Sequence, residues 1–248
     1  MEPLLVLLFT VGGYFVGSIS AARLVTAIAA PGTAVPRETE LRIERSDKTV
    51  MMQSVSATSV SANLGAKYGF ITYVIDVLKV FIPVFVLKRV YPGGHYHLIA
   101  ATAATVGHIW PLYHRFRGGR GISAIYGGVF AIDWLGVFAT AFAGLVFGFV
   151  VLRDLYLTYI LGTVFLIPWL WWRTHDPYVV LYAIAINVLL IASSFKEAKA
   201  WYRIKKEPGW NDPTEAWKIS AMGRGIIKMG TKLGLIKKKE ESGGGPRT

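Results

Sequence analysis

Residues 122–152 read ISAIYGGVFAIDWLGVFATAFAGLVFGFVVL, an apolar tract in which Asp133 is the only charged side chain. A charge within such a tract is unfavourable in a bilayer, so Asp133 favours a break at this point. We therefore divide the tract into a short segment, about 122–132, and a longer one, about 134–152. A single tilted span is the alternative. The choice decides on which side of the membrane the rest of the chain lies.

Further apolar segments flank this tract on both sides. A membrane span needs ~20 mainly apolar residues, or fewer where the helix ends inside the protein. The predicted spans are about 4–29, 69–87, 96–113, 122–132, 134–152, 155–172 and 178–195. The predicted fold class is therefore all-α, a polytopic membrane protein with about seven transmembrane helices.

The basic residues between the spans predict an orientation. With the N-terminus outside, seven crossings place the segment 37–67, the loop 114–120 and the lysine-rich tail inside, as the positive-inside bias requires. Residues 1–195 are then a transmembrane domain, and residues 196–248 are a basic cytoplasmic tail that is partly disordered. A single span over 122–152 would put the tail outside, which the same bias disfavours.

The composition excludes several classes of protein. The chain is 53% hydrophobic and 17% charged, with a mean hydropathy of +0.44, more apolar surface than a soluble domain can hide. The net charge of +12 lies between and after the apolar segments, which indicates contact with anionic lipid and no nucleic-acid partner. The chain has no cysteine, so we expect no disulfide and no Cys-based metal site or nucleophile.

The strongest local signal is a glycine-rich loop at residues 107–121, GHIWPLYHRFRGGRG. Adjacent glycines let backbone N–H groups approach an anion, and Arg120 offers a fork of donors that suits a phosphate. The loop also opens a predicted helix, whose N-terminus favours an anion. The residues Gly118, Gly119, Arg120 and Gly121 are thus a candidate phosphate site. A tight basic turn between two spans is the alternative.

Three ionisable residues lie within predicted spans. His108 is near the end of the third span, and an ionisable residue at such depth is a functional candidate. Asp76 and Lys79 lie three residues apart in the second span, so they share a helix face and can pair. A purely structural role, through a backbone hydrogen bond for His108 and an ion pair for the other two, is the alternative.

The stretch before the second span is rich in hydroxyl groups. Residues 54–63 read SVSATSVSAN, and hydroxyls such as those of Ser56 and Thr58 could bind a polar headgroup. In the alternative interpretation they satisfy backbone groups of a capping or re-entrant segment.

Several of these stretches form an ordered series of motifs. The series is Gly17-Ser-Ile-Ser20, Ser56-Ala-Thr-Ser-Val60, Leu64-Gly-Ala-Lys-Tyr-Gly69, Ile75-Asp-Val-Leu-Lys79 with Pro83, Gly107-His-Ile-Trp-Pro111, and Phe116-Arg-Gly-Gly-Arg-Gly121. In this order it resembles the motifs of the bacterial acyl-phosphate:glycerol-3-phosphate acyltransferases of phospholipid biosynthesis. The resemblance covers about residues 1–205, and its last motif is the most specific.

The resemblance implies a seven-helix protein of the bacterial inner (plasma) membrane. It also implies transfer of an acyl chain from acyl phosphate to glycerol 3-phosphate, giving lysophosphatidic acid, with no metal, cofactor or carrier protein. By this resemblance, His108 and Arg120 are the expected catalytic residues. The expected substrate-binding residues are Gly118, Gly119, Gly121, Ser56, Thr58, Asp76 and Lys79. The family's loop lysine is Arg120 here, which keeps the charge but changes its shape.

The sequence also departs from the family pattern. Where the family has a serine before and an arginine after its Gly-Ala-Thr motif, Met52 and Ala62 stand here. A His-x-x-Asn motif after the last span is replaced by Ser193-Ser-Phe-Lys-Glu197.

Two interpretations follow from these departures. In the first, the protein is a divergent acyltransferase with phosphate contacts moved to residues such as Arg42, Arg45, Lys48 or Lys67. In the second, it is a catalytically altered or inactive relative that binds lipid, phosphate or a membrane partner. A small-molecule transporter fits the hydropathy, but the sequence lacks paired discontinuous helices in two related halves.

Overall fold

The computed structural model describes residues 1–36, 38–42, 49–52, 54–152, 154–206, 221–232 and 234. In these residues the chain is mainly helical. The helices are α1 (Pro3–Ser18), α2 (Ala21–Ala29), α3 (Ala57–Leu64), α4 (Ala66–Val90), α5 (Tyr96–Ile109), α6 (Ile122–Ile132), α7 (Trp134–Val146), α8 (Leu155–Val164), α9 (Leu166–Thr174), α10 (Pro177–Lys205) and α11 (Ala221–Lys232).

The prediction of an all-α membrane fold is confirmed, with one small addition. The polar segment after α2 forms an antiparallel hairpin of β1 (Thr39–Arg42) and β2 (Thr49–Met52). Three helical stretches are long and apolar enough to cross a membrane, namely Pro3–Ala29, Ala66–Val90 and Pro177–Arg203, and α6 and α7 are shorter apolar helices.

The division of the central apolar tract at Asp133 is confirmed. Asp133 has an extended backbone, with φ −147° and ψ 96°, so it ends α6 and begins α7 as a separate helix. The carboxylate accepts hydrogen bonds from the Trp169 indole at 2.9 Å and from Arg173 Nε at 3.1 Å. The turn is therefore held by side chains of a neighbouring helix.

Some predicted spans end or break where the backbone requires it. The third span was predicted to reach residue 113, but α5 ends at Ile109, because a residue that precedes a proline, here Trp110 before Pro111, disfavours helical geometry. Pro168 lacks the N–H that would bond the carbonyl of Val164, and the sixth span is broken there into α8 and α9. The seventh span continues as helix to Lys205, beyond its predicted end at residue 195.

The helices pack around an apolar core, and α1 packs closely against α5 through glycines. Buried side chains of α4, α5, α6, α9 and α10 form this core, among them Val80, Val84, Ala101, Ile125, Leu166, Leu170, Ile186 and Leu190. Gly13, Gly17 and Gly107 lie against the facing backbone of α1 or α5, so a Cβ atom at any of them would collide with it. Small residues at such contacts are typical of helix packing in membranes.

Large apolar side chains face outward around this core. Leu4 is 74% exposed, Phe142 68%, Phe70 67% and Leu181 62%. Surfaces of this kind are stable against lipid and unfavourable in water. The outer surface thus agrees with the hydropathy, and the chain is an integral membrane protein.

Candidate active site

The three ionisable residues predicted in the spans form one buried cluster. Lys79 Nζ donates to Asp76 Oδ1 at 2.7 Å, to the carbonyl of Ile19 at 2.6 Å, and lies 3.1 Å from His108 Nδ1. His108 Nδ1 is also 3.5 Å from Asp76 Oδ1. Asp76 is 2% exposed and His108 is 7% exposed. The Asp76–Lys79–His108 cluster therefore joins α4 and α5 to the break that follows α1.

The hydrogen bonds of this cluster indicate which ring nitrogen of His108 carries the proton. An ammonium group has three N–H donors and no acceptor, and the three contacts of Lys79 use them all. A proton on Nδ1 would face Asp76 Oδ1 at 3.5 Å, which is longer than a good hydrogen bond. The 3.1 Å contact with Lys79 instead favours a neutral His108 with Nδ1 as the acceptor and the proton on Nε2. This arrangement favours a supporting role for Lys79 and leaves an Nε2–H donor toward the glycine-rich loop.

The loop turns back on the end of α5. Arg115 and Phe116 both have left-handed backbones, with φ 54° and 58°, and reverse the chain after Pro111. The N–H groups of Gly118 and Gly119 then donate to the carbonyls of Ile109 and His108, each at 3.1 Å. Gly121, with φ 94°, immediately precedes α6 and has no side chain that could cap the first turn of this helix.

The glycines of this loop allow its backbone to lie directly against His108 of α5. A Cβ atom on Gly118 would collide with the His108 carbonyl, and one on Gly119 would collide with His108 Nε2. The sequence suggested that the amides of Gly118 and Gly119 wrap an anion, but the structure shows that both already bond to α5 carbonyls. The uncapped N-terminus of α6 supplies the amides that remain suited to an anion.

Arg120 follows Gly119 in the loop and has contacts that sequence reasoning missed. Its Nη2 donates to Thr58 Oγ1 at 3.3 Å, and its Nη1 is 3.5 Å from Glu197 Oε2. Ser193 Oγ donates to the Arg120 carbonyl at 2.8 Å. By sequence alone, Ser193 and Glu197 are only departures from the family motif. Their position near the end of the last predicted span is a signal for this contact, because that end of α10 lies against the glycine-rich loop.

A small cavity lies between the cluster and the loop. Its lining includes Ser18, Val55, Lys79, His108 and Gly119, and its volume is about 10 Å³, roughly the space of one water molecule. The Val55 N–H donates to the Gly118 carbonyl at 3.1 Å and closes one wall. The cavity is therefore too small in this structure to hold more than about one water molecule.

The other predicted residues lie at different distances from this centre. Ser56 precedes α3, and its N–H bonds Ser59 Oγ at 2.9 Å, as the capping interpretation expected. Lys67 is exposed in the first turn of α4. Arg45 and Lys48 lie outside the described residues, so their part in a phosphate site stays a prediction.

Comparison with known proteins identifies the family to which the sequence is similar. A sequence model of the family described as glycerol-3-phosphate acyltransferase matches residues 7–203. The glycerol-3-phosphate acyltransferase of Burkholderia pseudomallei (strain 1710b) is 32% identical over 189 residues, covering 75% of this chain and 86% of that protein. The one from Janthinobacterium sp. (strain Marseille) is 30% identical over 190 residues, covering 74% of this chain and 87% of that protein.

Solved structures share the fold. The glycerol 3-phosphate form of PlsY (YgiH), an integral membrane glycerol 3-phosphate acyltransferase, matches with a TM-score of 0.67 at 24% identity, over 82% of this chain and 94% of that chain. Its lysophosphatidic acid form matches with a TM-score of 0.66 at 22% identity, over 84% of this chain and 97% of that chain. With the family match over residues 7–203, these findings show that the chain belongs to the glycerol-3-phosphate acyltransferase family.

Proposed function

We propose that this protein is a membrane acyltransferase of phospholipid biosynthesis that acylates glycerol 3-phosphate from acyl phosphate. A bond forms between the 1-hydroxyl oxygen and the acyl carbon, and the bond from that carbon to the phosphate oxygen breaks. The hydroxyl proton leaves with the phosphate, so the products are lysophosphatidic acid and inorganic phosphate. The observation that carries this proposal is the closure of the glycine-rich loop over the buried Asp76–Lys79–His108 cluster.

The phosphate-binding part of the site is Arg120 with the start of α6. The guanidinium is a fixed fork of donors that matches a phosphate, and the first-turn amides of α6 point out of the helix end toward an anion. Gly118 and Gly119 let the chain pass close to His108, and Gly121 lets it pass close to Ile109 of α5. Thr58 contributes a hydroxyl next to Arg120.

His108 is the residue that faces the reacting atoms. Its Nε2–H donor is directed to the loop, where it can stabilise negative charge that develops on the acyl carbonyl oxygen. Lys79 fixes the ring through Nδ1, and Asp76 balances the charge of Lys79. The protein therefore acts mainly by positioning two substrates and by electrostatic stabilisation.

An apolar groove offers a place for the acyl chain. It has a volume of about 870 Å³ and lies between α1, α5 and α10, with lining residues that include Phe15, Leu98, Val106 and Leu181. Tyr14, which also lines it, donates to the Trp110 carbonyl at 2.9 Å, at the start of the loop. We infer that lipid occupies this groove, since its walls present almost only carbon atoms.

We also propose that the N-terminus lies outside the cell and that the basic tail, residues 196–248, is cytoplasmic. The support is the excess of lysine and arginine in the segments that this orientation places inside. The chain has no cysteine, so single-cysteine variants at Gly93 and Gly234 report the orientation cleanly. A membrane-impermeant thiol reagent should label intact cells at residue 93 and not at residue 234. The reverse pattern would overturn the orientation.

The direct test of the function uses purified protein, acyl phosphate and labelled glycerol 3-phosphate. The unmodified protein should form labelled lysophosphatidic acid, and Arg120→Ala should lower kcat/KM by at least ~100-fold, because a charge-assisted phosphate contact is lost. Arg89→Ala is the matched control, since Arg89 stacks on Phe85 at 4.9 Å, away from the cavity lining.

The second candidate is a relative that binds phosphate or lipid without catalysis. It is favoured by the fact that Lys79 and Arg120 are each already paired with a carboxylate of the protein. Absence of product from folded protein, tested beside an active relative, would support this candidate and overturn glycerol 3-phosphate acylation.

A further inference from the structure

The end of α10 brings an acidic residue to the expected phosphate site. Glu197 Oε2 lies 3.5 Å from Arg120 Nη1, and the two side chains are only 12% and 19% exposed. One turn earlier on the same helix, Ser193 Oγ holds the Arg120 carbonyl at 2.8 Å. The contact therefore belongs to an ordered junction between α10 and the glycine-rich loop.

Two cations of the site are each paired with a carboxylate of the protein. Lys79 is paired with Asp76 at 2.7 Å, and Arg120 is paired with Glu197. Taken together, these four side chains carry no net charge when all are ionised. A substrate phosphate that approaches Arg120 must therefore act against the field of a nearby carboxylate.

The geometry at Arg120 indicates competition with an anion. Nη1 faces Glu197 and Nη2 donates to Thr58, so both terminal nitrogens of the fork have a protein partner. A bidentate phosphate would use the same nitrogens. The 3.5 Å separation is longer than a good charge-assisted hydrogen bond, so a dianion can displace the carboxylate.

We propose that Glu197 is a specificity-determining residue, an internal anion that competes with the substrate phosphate for Arg120. It sets how tightly the site holds phosphate-bearing molecules. The inference rests on the proposed function, because the phosphate it concerns is that of glycerol 3-phosphate or acyl phosphate. When Glu197 occupies Arg120 the site is at rest, and when phosphate occupies Arg120 the carboxylate is released toward water.

The test is the nearly isosteric variant Glu197→Gln. It should lower the KM for glycerol 3-phosphate by about fivefold, the size expected from removing one partly exposed ion pair, with kcat unchanged. Inhibition by inorganic phosphate should become tighter by a similar factor. Glu2→Gln is the matched control, because it removes the same charge from an exposed residue that precedes α1, at the end of this helix away from the site. It should change neither the KM for glycerol 3-phosphate nor the inhibition by phosphate.

Two kinetic outcomes would overturn the proposal. A higher KM would mean that Glu197 positions Arg120 for phosphate, and a lower kcat at constant KM would mean that Glu197 takes part in proton transfer.

Phosphate binding separates this proposal from the proposed function. If the unmodified protein forms no lysophosphatidic acid, the shift in Tm caused by inorganic phosphate still tests Glu197. A larger shift in Glu197→Gln than in the unmodified protein supports competition, and equal shifts reject it.

Discussion

The two ends of the helical bundle both hold charged residues among apolar helices, but they use them differently. At the end away from the loop, Lys88 Nζ donates to the carbonyls of Ala131 and Ile132, and Asp133 accepts from Trp169 and Arg173. These charges satisfy helix ends and hold the turn between α6 and α7. These contacts serve the fold, although the buried Nδ1 of His97 near the same end has no hydrogen-bond partner among the described residues.

At the loop end, pairing is similar but incomplete. Lys79 is fully bonded, yet His108 Nε2 has no hydrogen-bond partner among the described residues and lies against Gly119 beside a small cavity. The comparison shows that buried ion pairs alone do not mark a site. A donor left unused beside glycines and a cavity is the more specific signal.

The largest expected effect comes from removing that donor. His108→Ala should lower kcat by at least ~100-fold, because the developing charge loses its hydrogen bond. His97→Ala is the matched control, since His97 is 5% exposed on the same helix at the other end. It should reduce Tm and leave kcat near that of the unmodified protein. Equal losses of kcat in both variants would remove the distinction between the two ends.

A smaller effect is expected from crowding the donor. Gly119→Ala places a Cβ atom against His108 Nε2, and the displaced ring should lower kcat/KM by about 10- to 100-fold. Gly12→Ala, where a Cβ atom meets open space, is the control and should retain activity. Full activity in Gly119→Ala would show that the close approach of loop and histidine is unimportant for the reaction.

The smallest effect on activity is expected at the opposite end. Asp133→Asn should leave kcat unchanged and reduce the free energy of unfolding by about 1–2 kcal/mol, because the neutral amide loses the charge-assisted bonds of the carboxylate. The loss is modest because the Arg173 side chain, one of the two partners, is 45% exposed. Thermal unfolding in detergent should show a Tm lower by about 5 °C. A clear loss of kcat with unchanged Tm would contradict a purely structural role for this end.

The acidity of Asp133 gives this variant a pH dependence. Burial alone would raise the pKa of Asp133, but hydrogen bonds from Trp169 and Arg173 and the charge of Arg173 outweigh it and lower the pKa below its ordinary value of 3.8. The stabilisation is therefore complete above that ordinary value and is lost as the pH falls through the lowered pKa. The Tm difference between Asp133→Asn and the unmodified protein should be constant at neutral pH and should shrink only in strong acid.

Local chemistry made much of the fold predictable. A charge in an apolar tract gave the break at Asp133, and the spacing of three residues gave the Asp76–Lys79 pair. The predicted third span extends beyond the end of α5 at Ile109, although Pro111 is a local signal for that end. These features depend on residues that are close in sequence, so periodicity and backbone rules apply to them.

The fine structure of the site was less predictable, because it depends on distant segments. Ser193 and Arg120 are 73 residues apart, and the contact of Lys79 with His108 spans 29 residues. The sequence suggested that the loop glycines offer amides to an anion, but their amides bond to α5. Only the packed structure shows which donors remain available.

The eleven-residue length of α6 has a consequence for the two leaflets of the membrane. This helix is about 16 Å long, roughly half the ~30 Å hydrocarbon thickness. Its far end is hydrogen-bonded by Lys88 and leads into the Asp133 turn. In the orientation proposed above, the start of α6 and the site beside it lie on the cytoplasmic side. For the transfer proposed here, new lysophosphatidic acid enters a single leaflet, and the opposite leaflet can grow only by lipids that cross afterwards.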